Sequence, residues 1–289
     1  MPELQTADPF DWVQYPWGEA LQCRPLTDVA HHCFTTRRPV FPPTDGPDAD
    51  GQTDDGWESV AQAFGVPRAR LVRLRQIHGA RVLTLRSTDS QPLQPSASEW
   101  AAGDASVTDD PTVALIVKTA DCVPVLLGDR RSGAVAAVHA GWRGAMCGVV
   151  AAAVHELETA FSTRPSDLVA AVGPGIGPCC YRVGPELRDQ FLDAGLSAED
   201  VVRWFTESPP VVARRGVPGS EPATSDGRGP LWLNMWGVVA DHLAAAGLSR
   251  GSIHVSGLCT SCGRDVFHSY RVDGSAAGRM IGVIRVTAS

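Results

Sequence analysis

The 289-residue sequence contains no apolar run approaching the ~20 residues that a membrane-spanning helix requires. Its longest apolar stretch, Ala145 to Val154, is broken by Cys147 and Gly148, so no membrane partner is expected. A basic surplus is also missing. Lys and Arg number 25 against 32 Asp and Glu, a formal net charge of -7, which argues against nucleic acid as the main partner. The opening Met1-Pro2-Glu3 has neither the basic nor the apolar region of a secretory signal. We therefore expect a cytoplasmic protein whose eight cysteines are thiols or thiolates rather than disulfides. No internal repeat is found, and 44% hydrophobic with 20% charged residues is ordinary globular usage. The expectation is a sizeable core and a small-molecule partner.

Three stretches are rich in turn-forming residues and unable to build a packed face: Pro39 to Gly56, Thr206 to Pro230 and, more briefly, Ser87 to Ser98. Between them strand signals dominate. Leu71 to Leu74 and Arg81 to Leu85 flank a turn at His78-Gly79, and Val113 to Val117, Val123 to Leu127, Ala134 to Val138 and Leu168 to Val172 are short apolar runs. Ala145 to Phe161 carries its apolar residues at helical spacing, and further helices are expected at Pro185 to Ala194 and Trp236 to Ala246. The fold class is α+β.

The chemistry centres on Thr119-Ala120-Asp121-Cys122 and His139-Ala140-Gly141-Trp142-Arg143-Gly144. If the turn Gly128 to Gly133 is symmetric, position i faces position 261 minus i, and Cys122 faces His139. Directly opposed side chains in an antiparallel pair lie roughly 5 Å apart, suited to holding one metal ion or forming a thiol-imidazole pair. His78, in Gln76-Ile77-His78-Gly79, could complete the set. Two imidazoles and a thiolate suit zinc, with copper as competitor, and leave a coordination position open. Against this, a lone Cys in an apolar run is often simply buried and a single His often serves a turn. Arg143, bracketed by Gly141 and Gly144, either faces an anion or is a solvated turn residue.

Other motifs carry less. Gly173 to Tyr181 lacks the G-x-G-x-x-G spacing and its prolines remove donors, so it is taken as a structural loop. Cys259-Thr260-Ser261-Cys262 is a C-x-x-C without a second spaced pair. Cys179 and Cys180 are adjacent and poorly placed to chelate, so these cysteines are assigned to packing. His31 and His32 should point to opposite faces of an extended segment.

From about Val29 to Val286 the chain resembles the laccase-domain family, also called the multicopper polyphenol oxidase or YfiH-like family. The matching segments are Phe34-Thr35-Thr36-Arg37, Gln76 to Gly79, Asp104-Ala105, Ala120 to Pro124, His139 to Gly144, Gly173-Pro174 through Cys179-Cys180-Tyr181, Cys259-Thr260, Ser269-Tyr270-Arg271 and Gly278-Arg279-Met280. The resemblance implies a single-domain α/β/β/α sandwich, similar to the necrotizing-factor toxins. It spans residues 29–289, with loop insertions near 39–56 and 206–230 and with residues 1–28 as an N-terminal extension. It also implies zinc, or copper, on His78, Cys122 and His139. The implied activity is phosphorolysis of adenosine, inosine or 5'-methylthioadenosine and deamination of adenosine, with purine nucleoside and phosphate as partners; the sequence does not fix the oligomeric state, and a monomer is expected.

Arg37, Gln76 and Arg143 are the candidate phosphate or substrate contacts, and Asp121, Cys122 and Arg143 the candidate catalytic residues. Asp121 either orients a ligand, exchanges a proton or caps the turn. The chain departs from the family's usual text at Pro39 to Trp57, at Tyr181-Arg182-Val183, where a base replaces an acid, and at Leu231-Trp232-Leu233. Three alternatives accompany this reading. They are a cysteine hydrolase in which Cys122 attacks an amide, such as that of a peptidoglycan precursor, with His139 as base; a copper-dependent polyphenol oxidase; and a silent partner that binds nucleoside without turnover.

Overall fold

The structure, a computed structural model, describes residues 7–41, 54–88, 100–210 and 229–287. In chain order it begins β1 (Phe10–Tyr15), β2 (Gly18–Cys23), α1 (Arg24–Thr27), β3 (Ala30–Thr35), α2 (Asp54–Ala63), β4 (Leu71–Val72), β5 (Val82–Leu85), β6 (Ala105–Thr108) and β7 (Ala114–Thr119). The centre holds β8 (Val123–Asp129), β9 (Val135–Ala140), α3 (Trp142–Met146), α4 (Val149–Phe161), β10 (Leu168–Val172), β11 (Arg182–Val183) and α5 (Pro185–Asp193). It closes with α6 (Ala198–Trp204), β12 (Phe205–Thr206), β13 (Leu231–Leu233), α7 (Met235–Ala245), β14 (Ile253–Val255), α8 (Tyr270–Asp273) and β15 (Met280–Val286).

The strands form one six-stranded sheet in the order β1-β2-β3-β15-β7-β4, a second in the order β14-β10-β8-β9-β6-β5, and a small sheet β11-β13-β12. Period-two alternation decides how they stack. Leu115 and Val117 of β7 and Ile284 of β15 meet Leu126, Val135, Ala137, Val169 and Ala171 of the second sheet in one buried cluster. The alternate residues Ile116, Ile281 and Val283 pack outward against Trp57, Val60, Ala61 and Phe64 of the α2 region. On the far side, Val125, Leu127, Val138, Ala170 and Val172 pack against α4 and α7 through Val150, Val154, Leu157, Val238 and Leu243. The layers are therefore α/β/β/α, as expected. Strands β8, β9 and β10 are buried along their whole length, so each reads as a continuous apolar run. Each fully buried Val or Leu contributes roughly 1.5–3 kcal/mol.

Phe34 locks the two sheets together. A Cβ on Gly173 would lie 2.4 Å from its ring and one on Gly282 3.3 Å, so both positions are kept free of side chains by the ring between them. Among the described residues no helix is long and apolar enough to cross a membrane.

Several expectations are corrected. Strands do flank His78-Gly79 as expected, but they do not pair with each other: β4 pairs parallel with β7 in the first sheet and β5 parallel with β6 in the second, so the turn crosses between layers. The single helix expected over Ala145 to Phe161 is divided between α3 and α4 at Gly148, which has φ +80. The residues expected as an extension are part of the fold. β1 and β2 form the edge of the first sheet, and Phe10, Leu21, Cys23 and Leu26 are fully buried because the sheet interface would otherwise open there. Of the expected insertions, 42–53 and 211–228 lie outside the described residues, as does 89–98 of the third break, while Gly56-Trp57 are in α2 with Trp57 buried.

Candidate active site

The β8–β9 connection was expected to place Cys122 opposite His139. The ladder instead pairs Val123 with Ala140, Pro124 with His139 and Gly128 with Val135, so position i faces 263 minus i. The extra length comes from Asp129. It stays in the strand, with its N–H donating to the Ala134 carbonyl at 2.9 Å and its carboxylate collecting the Arg131 N–H at 2.8 Å, the Ser132 hydroxyl at 2.5 Å and the Thr163 hydroxyl at 2.8 Å. The register is off by two residues, which preserves the face each side chain points to. Cys122 therefore still meets His139, diagonally and just beyond the ladder's end.

His78, Cys122 and His139 converge, with one ligand atom from each lying within 4.8 Å of the others. Cys122 Sγ is 4.0 Å from His78 Nε2, and the two imidazoles meet edge to face at 4.9 Å between centroids. Gly141 is required by this closeness, since a Cβ there would be 3.0 Å from both Cys122 Sγ and His78 Cδ2.

The organiser of the three is Asp104, a residue whose role the sequence pattern does not reveal. Its carboxylate is fully buried. Oδ1 accepts from His139 Nδ1 at 2.9 Å and from the His78 N–H at 2.9 Å; Oδ2 accepts from the Ile77 N–H at 3.2 Å and the Gly79 N–H at 2.7 Å. Asp104 thus holds the His78 turn, where His78 has φ +57, and leaves His139 with only Nε2 to offer a ligand. Its signal in the sequence is a lone acid directly before the β-prone segment Ala105-Ser106-Val107-Thr108.

Charge follows the geometry. Burial alone would lift the Asp104 carboxyl, but the His139 hydrogen bond and the Gly79 and His78 amides hold it below the usual carboxylate range. Burial would lower His139, yet the Cys122 sulfur and the Asp104 carboxylate push it up to about 9. Burial would likewise raise Cys122, but the His139 charge, with hydrogen bonds from both imidazoles, brings the thiol down to about 6. The sulfur is thereby set up as a thiolate, the form that binds metal or attacks carbon.

These groups open onto a cavity of about 540 Å³, within the range of small-molecule sites. Lys118, Arg143, Arg271 and Arg279 bring positive charge to its walls, and Trp142, Tyr181 and Tyr270 bring aromatic surface. Arg143 stacks 4.0 Å above the Trp142 ring centroid, and Arg271 lies 5.2 Å from that of Tyr181. Burial, with the nearby Arg279 charge, lowers Lys118 to about 8. Arg271 and Arg279 stood in the family-like segments without an assigned role.

Of the remaining sequence candidates, Gln76 and Asp121 line the cavity but spend their polar atoms on neighbouring protein groups. Gln76 spends its amide on Lys118, with Nε2 donating to the carbonyl at 2.9 Å and Oε1 accepting from the N–H at 2.7 Å. Asp121, at φ +86, accepts from the Thr260 hydroxyl through Oδ1 and the Arg271 N–H through Oδ2, both at 2.6 Å. It is the turn-capping alternative that these contacts describe, with burial the main cause of its raised pKa. Arg37 is not among the residues lining the cavity; its Nη1 donates to the Arg264 carbonyl at 2.7 Å and the Phe267 carbonyl at 3.2 Å.

The cysteines assigned to packing are also placed differently, since Cys179, Cys180, Cys259 and Cys262 converge with their four sulfurs within 4.8 Å of one another. Adjacent cysteines diverge on an extended segment, but Cys179-Cys180 lie on a tight turn in which the N–H groups of Cys180 and Tyr181 both donate to the Gly177 carbonyl. Consecutive side chains there are rotated by far less than the half-turn of a strand.

Two imidazoles and a cysteine sulfur thus converge beneath a cavity with cationic walls, a set of ligand types able to hold one metal ion. Residues 45–287 match the family of multi-copper polyphenol oxidoreductase laccases, and the chain belongs to that family. Among its relatives, purine nucleoside phosphorylase YlmD of Geobacillus stearothermophilus is 32% identical over 238 residues, covering 81% of this chain and 80% of that one. A purine nucleoside phosphorylase of Deinococcus radiodurans is 33% identical over 261 residues, covering 88% of each. The crystal structure of YlmD superposes with a TM-score of 0.78 at 28% identity, covering 97% of this chain and all of the other (100%).

Proposed function

We propose that this protein is a purine nucleoside phosphorylase that works at the His78, Cys122 and His139 centre, with zinc as the metal, and that also deaminates adenosine. The observation that carries the reading is the convergence of three borderline ligands under a cavity walled by Lys118, Arg143, Arg271 and Arg279. The names of the relatives support the same substrate class.

The residues fit a zinc ion. His139 is held by Asp104 as an Nε2 ligand, Cys122 is a thiolate, and the thiolate-to-His78 spacing of 4.0 Å is close to the roughly 3.5 Å between neighbouring ligands of tetrahedral zinc. When bound, such an ion supplies a Lewis-acid charge beside the substrate. The protein's own groups do the rest. Arg143, Arg271, Arg279 and protonated Lys118 hold phosphate, the guanidinium forks matching its oxygens. Trp142 and Tyr181 offer flat faces for a purine. With phosphate fixed beside the ribose, attack of a phosphate oxygen on the anomeric carbon becomes effectively intramolecular as the bond to the base breaks. The cationic walls also stabilise the negative charge carried by phosphate and developing on the departing base.

Asp104, His139 and Cys122 also have the order of an orienting acid, a base and a nucleophile, which is the arrangement the cysteine-hydrolase reading needs. His78 separates the two readings, since a nucleophilic pair has no use for a second imidazole at the sulfur. For the copper-oxidase reading, the one candidate cluster with histidine among the described residues contains two of them, far short of a multicopper centre. The test is to incubate the purified protein with inosine and adenosine, with and without phosphate. Phosphate-dependent release of hypoxanthine and adenine is the expected result, and release of neither base overturns the proposal.

A further inference from the structure

The loops that close the cavity are held by something other than regular structure. After β10 the chain runs from Gly173 to Tyr181 and supplies Ile176 and Tyr181 to the cavity; after β14 it runs from Ser256 to Ser269 and leads directly into Tyr270 and Arg271. These two loops meet at one isolated bridge, Gly175 with Cys259, where the Thr260 N–H donates to the Gly175 carbonyl at 3.1 Å. Around that bridge lie Cys179, Cys180, Cys259 and Cys262.

The arrangement of the four sulfurs distinguishes a metal site from a disulfide. Cys262 Sγ is 3.5 Å from Cys179 Sγ and 3.4 Å from Cys180 Sγ, so neither partner is singled out. A tetrahedron of sulfurs with zinc–sulfur bonds of about 2.3 Å has edges of about 3.8 Å, and the observed spacing is close to that. A second feature points the same way. The Gly177 N–H donates to Cys259 Sγ at 3.2 Å, the amide-to-sulfur bond that steadies a ligating thiolate. Each loop also contributes its pair from a turn: the Gly263 N–H donates to the Cys259 carbonyl at 2.8 Å, which curls the C-x-x-C, and the Gly177 carbonyl curls Cys179-Cys180.

We propose that Cys179, Cys180, Cys259 and Cys262 form a second metal site, a closed tetrathiolate that binds zinc and staples the two loops framing the catalytic cavity. Four protein ligands leave no coordination position for substrate, so the site is structural. As the ion enters, the thiols release their protons to solvent and the unpaired sulfurs become ligands. The staple reaches the active site through Thr260, which follows ligand Cys259 and donates to Asp121, the neighbour of Cys122.

The test uses the full chain purified under reducing conditions, with zinc content measured by elemental analysis and cobalt(II) as the spectroscopic probe. Wild type is expected to bind about two ions per chain and Cys262→Ser about one, a twofold loss. Cys122→Ala should also bind about one, yet keep the intense thiolate-to-cobalt charge-transfer absorption that Cys262→Ser loses. This arm keeps the proposal independent of the catalytic reading, because the tetrathiolate signal persists even if His78, Cys122 and His139 bind nothing. Wild type alone is decisive should a variant fail to fold, since four thiolates give a several-fold stronger charge-transfer band than one. A cobalt spectrum with the intensity of a single thiolate overturns the proposal, as does a Cys179 or Cys180 disulfide in the freshly reduced protein or unchanged metal content in folded Cys262→Ser.

Discussion

Asp104→Asn is the substitution that separates an organised centre from a fortuitous cluster. The two side chains are almost the same size, so no cavity is created. The carboxylate, however, accepts four hydrogen bonds, two on each oxygen. An amide keeps only one acceptor oxygen. Turned one way, its NH₂ faces the Ile77 and Gly79 amides; turned the other, it faces the His78 amide, and His139 can accept it at Nδ1 only by moving its proton to Nε2, the atom needed for a metal. One or two bonds become donor-to-donor contacts, and at ~1.5–3 kcal/mol for each charge-assisted bond the loss is about 1.5–6 kcal/mol. A typical domain has a total stability of about 5–15 kcal/mol, so the variant should unfold at markedly lower denaturant concentration. Loss of a carboxylate behind a ligating histidine typically weakens metal affinity about 10–100-fold, or roughly 1.4–2.7 kcal/mol. Denaturant unfolding of the apoprotein and competition with a chromophoric chelator measure the two effects separately. An Asp104→Asn protein within about 1 kcal/mol of wild type in stability and within threefold in zinc affinity would refute the reasoning.

Gly141→Ala should cut metal loading while leaving the protein folded, because its new Cβ would lie 3.0 Å from both the Cys122 sulfur and His78; elemental analysis checks this. Arg143→Gln should raise the KM for phosphate roughly 10-fold or more with metal content intact, the loss of one charge-assisted contact in steady-state kinetics. Arg37→Lys should leave the phosphate KM unchanged, since its guanidinium is bound to the Arg264 and Phe267 carbonyls; a raised KM would return Arg37 to the anion site. Lys118, lowered to about 8 by burial, is cationic below that pH and neutral above it. Phosphate KM should therefore rise as the pH passes upward through about 8, while folding stability gains over the interval up to the ordinary lysine value, because there the unfolded chain binds the extra proton.

The central strands were legible because β8, β9 and β10 are buried on both faces, which compresses each into an apolar run bounded by turns. Sheet membership was not, since β4 and β5 look like hairpin partners locally and only long-range parallel pairing sends them to different layers. β15 went unread because Gly282 and Arg285 interrupt its pattern. Gly282 exists to admit the Phe34 ring, and Arg285 reaches the Pro111 carbonyl. The ligand trio could be reached from chemistry alone, even with the hairpin register misjudged by two, because an even slip keeps residues on one face. Asp104 and the four-cysteine cluster depend on turns whose hydrogen bonds have no periodic signature.

The most direct test of the central claim is phosphate-dependent cleavage of inosine by three preparations: wild type, wild type stripped of metal by a chelator, and Cys122→Ala, each before and after zinc is restored. The account predicts that stripping abolishes activity and zinc restores it, while Cys122→Ala stays inactive throughout. Full activity in the stripped wild type beside an inactive Cys122→Ala would contradict it, making the Cys122 sulfur a nucleophile rather than a ligand.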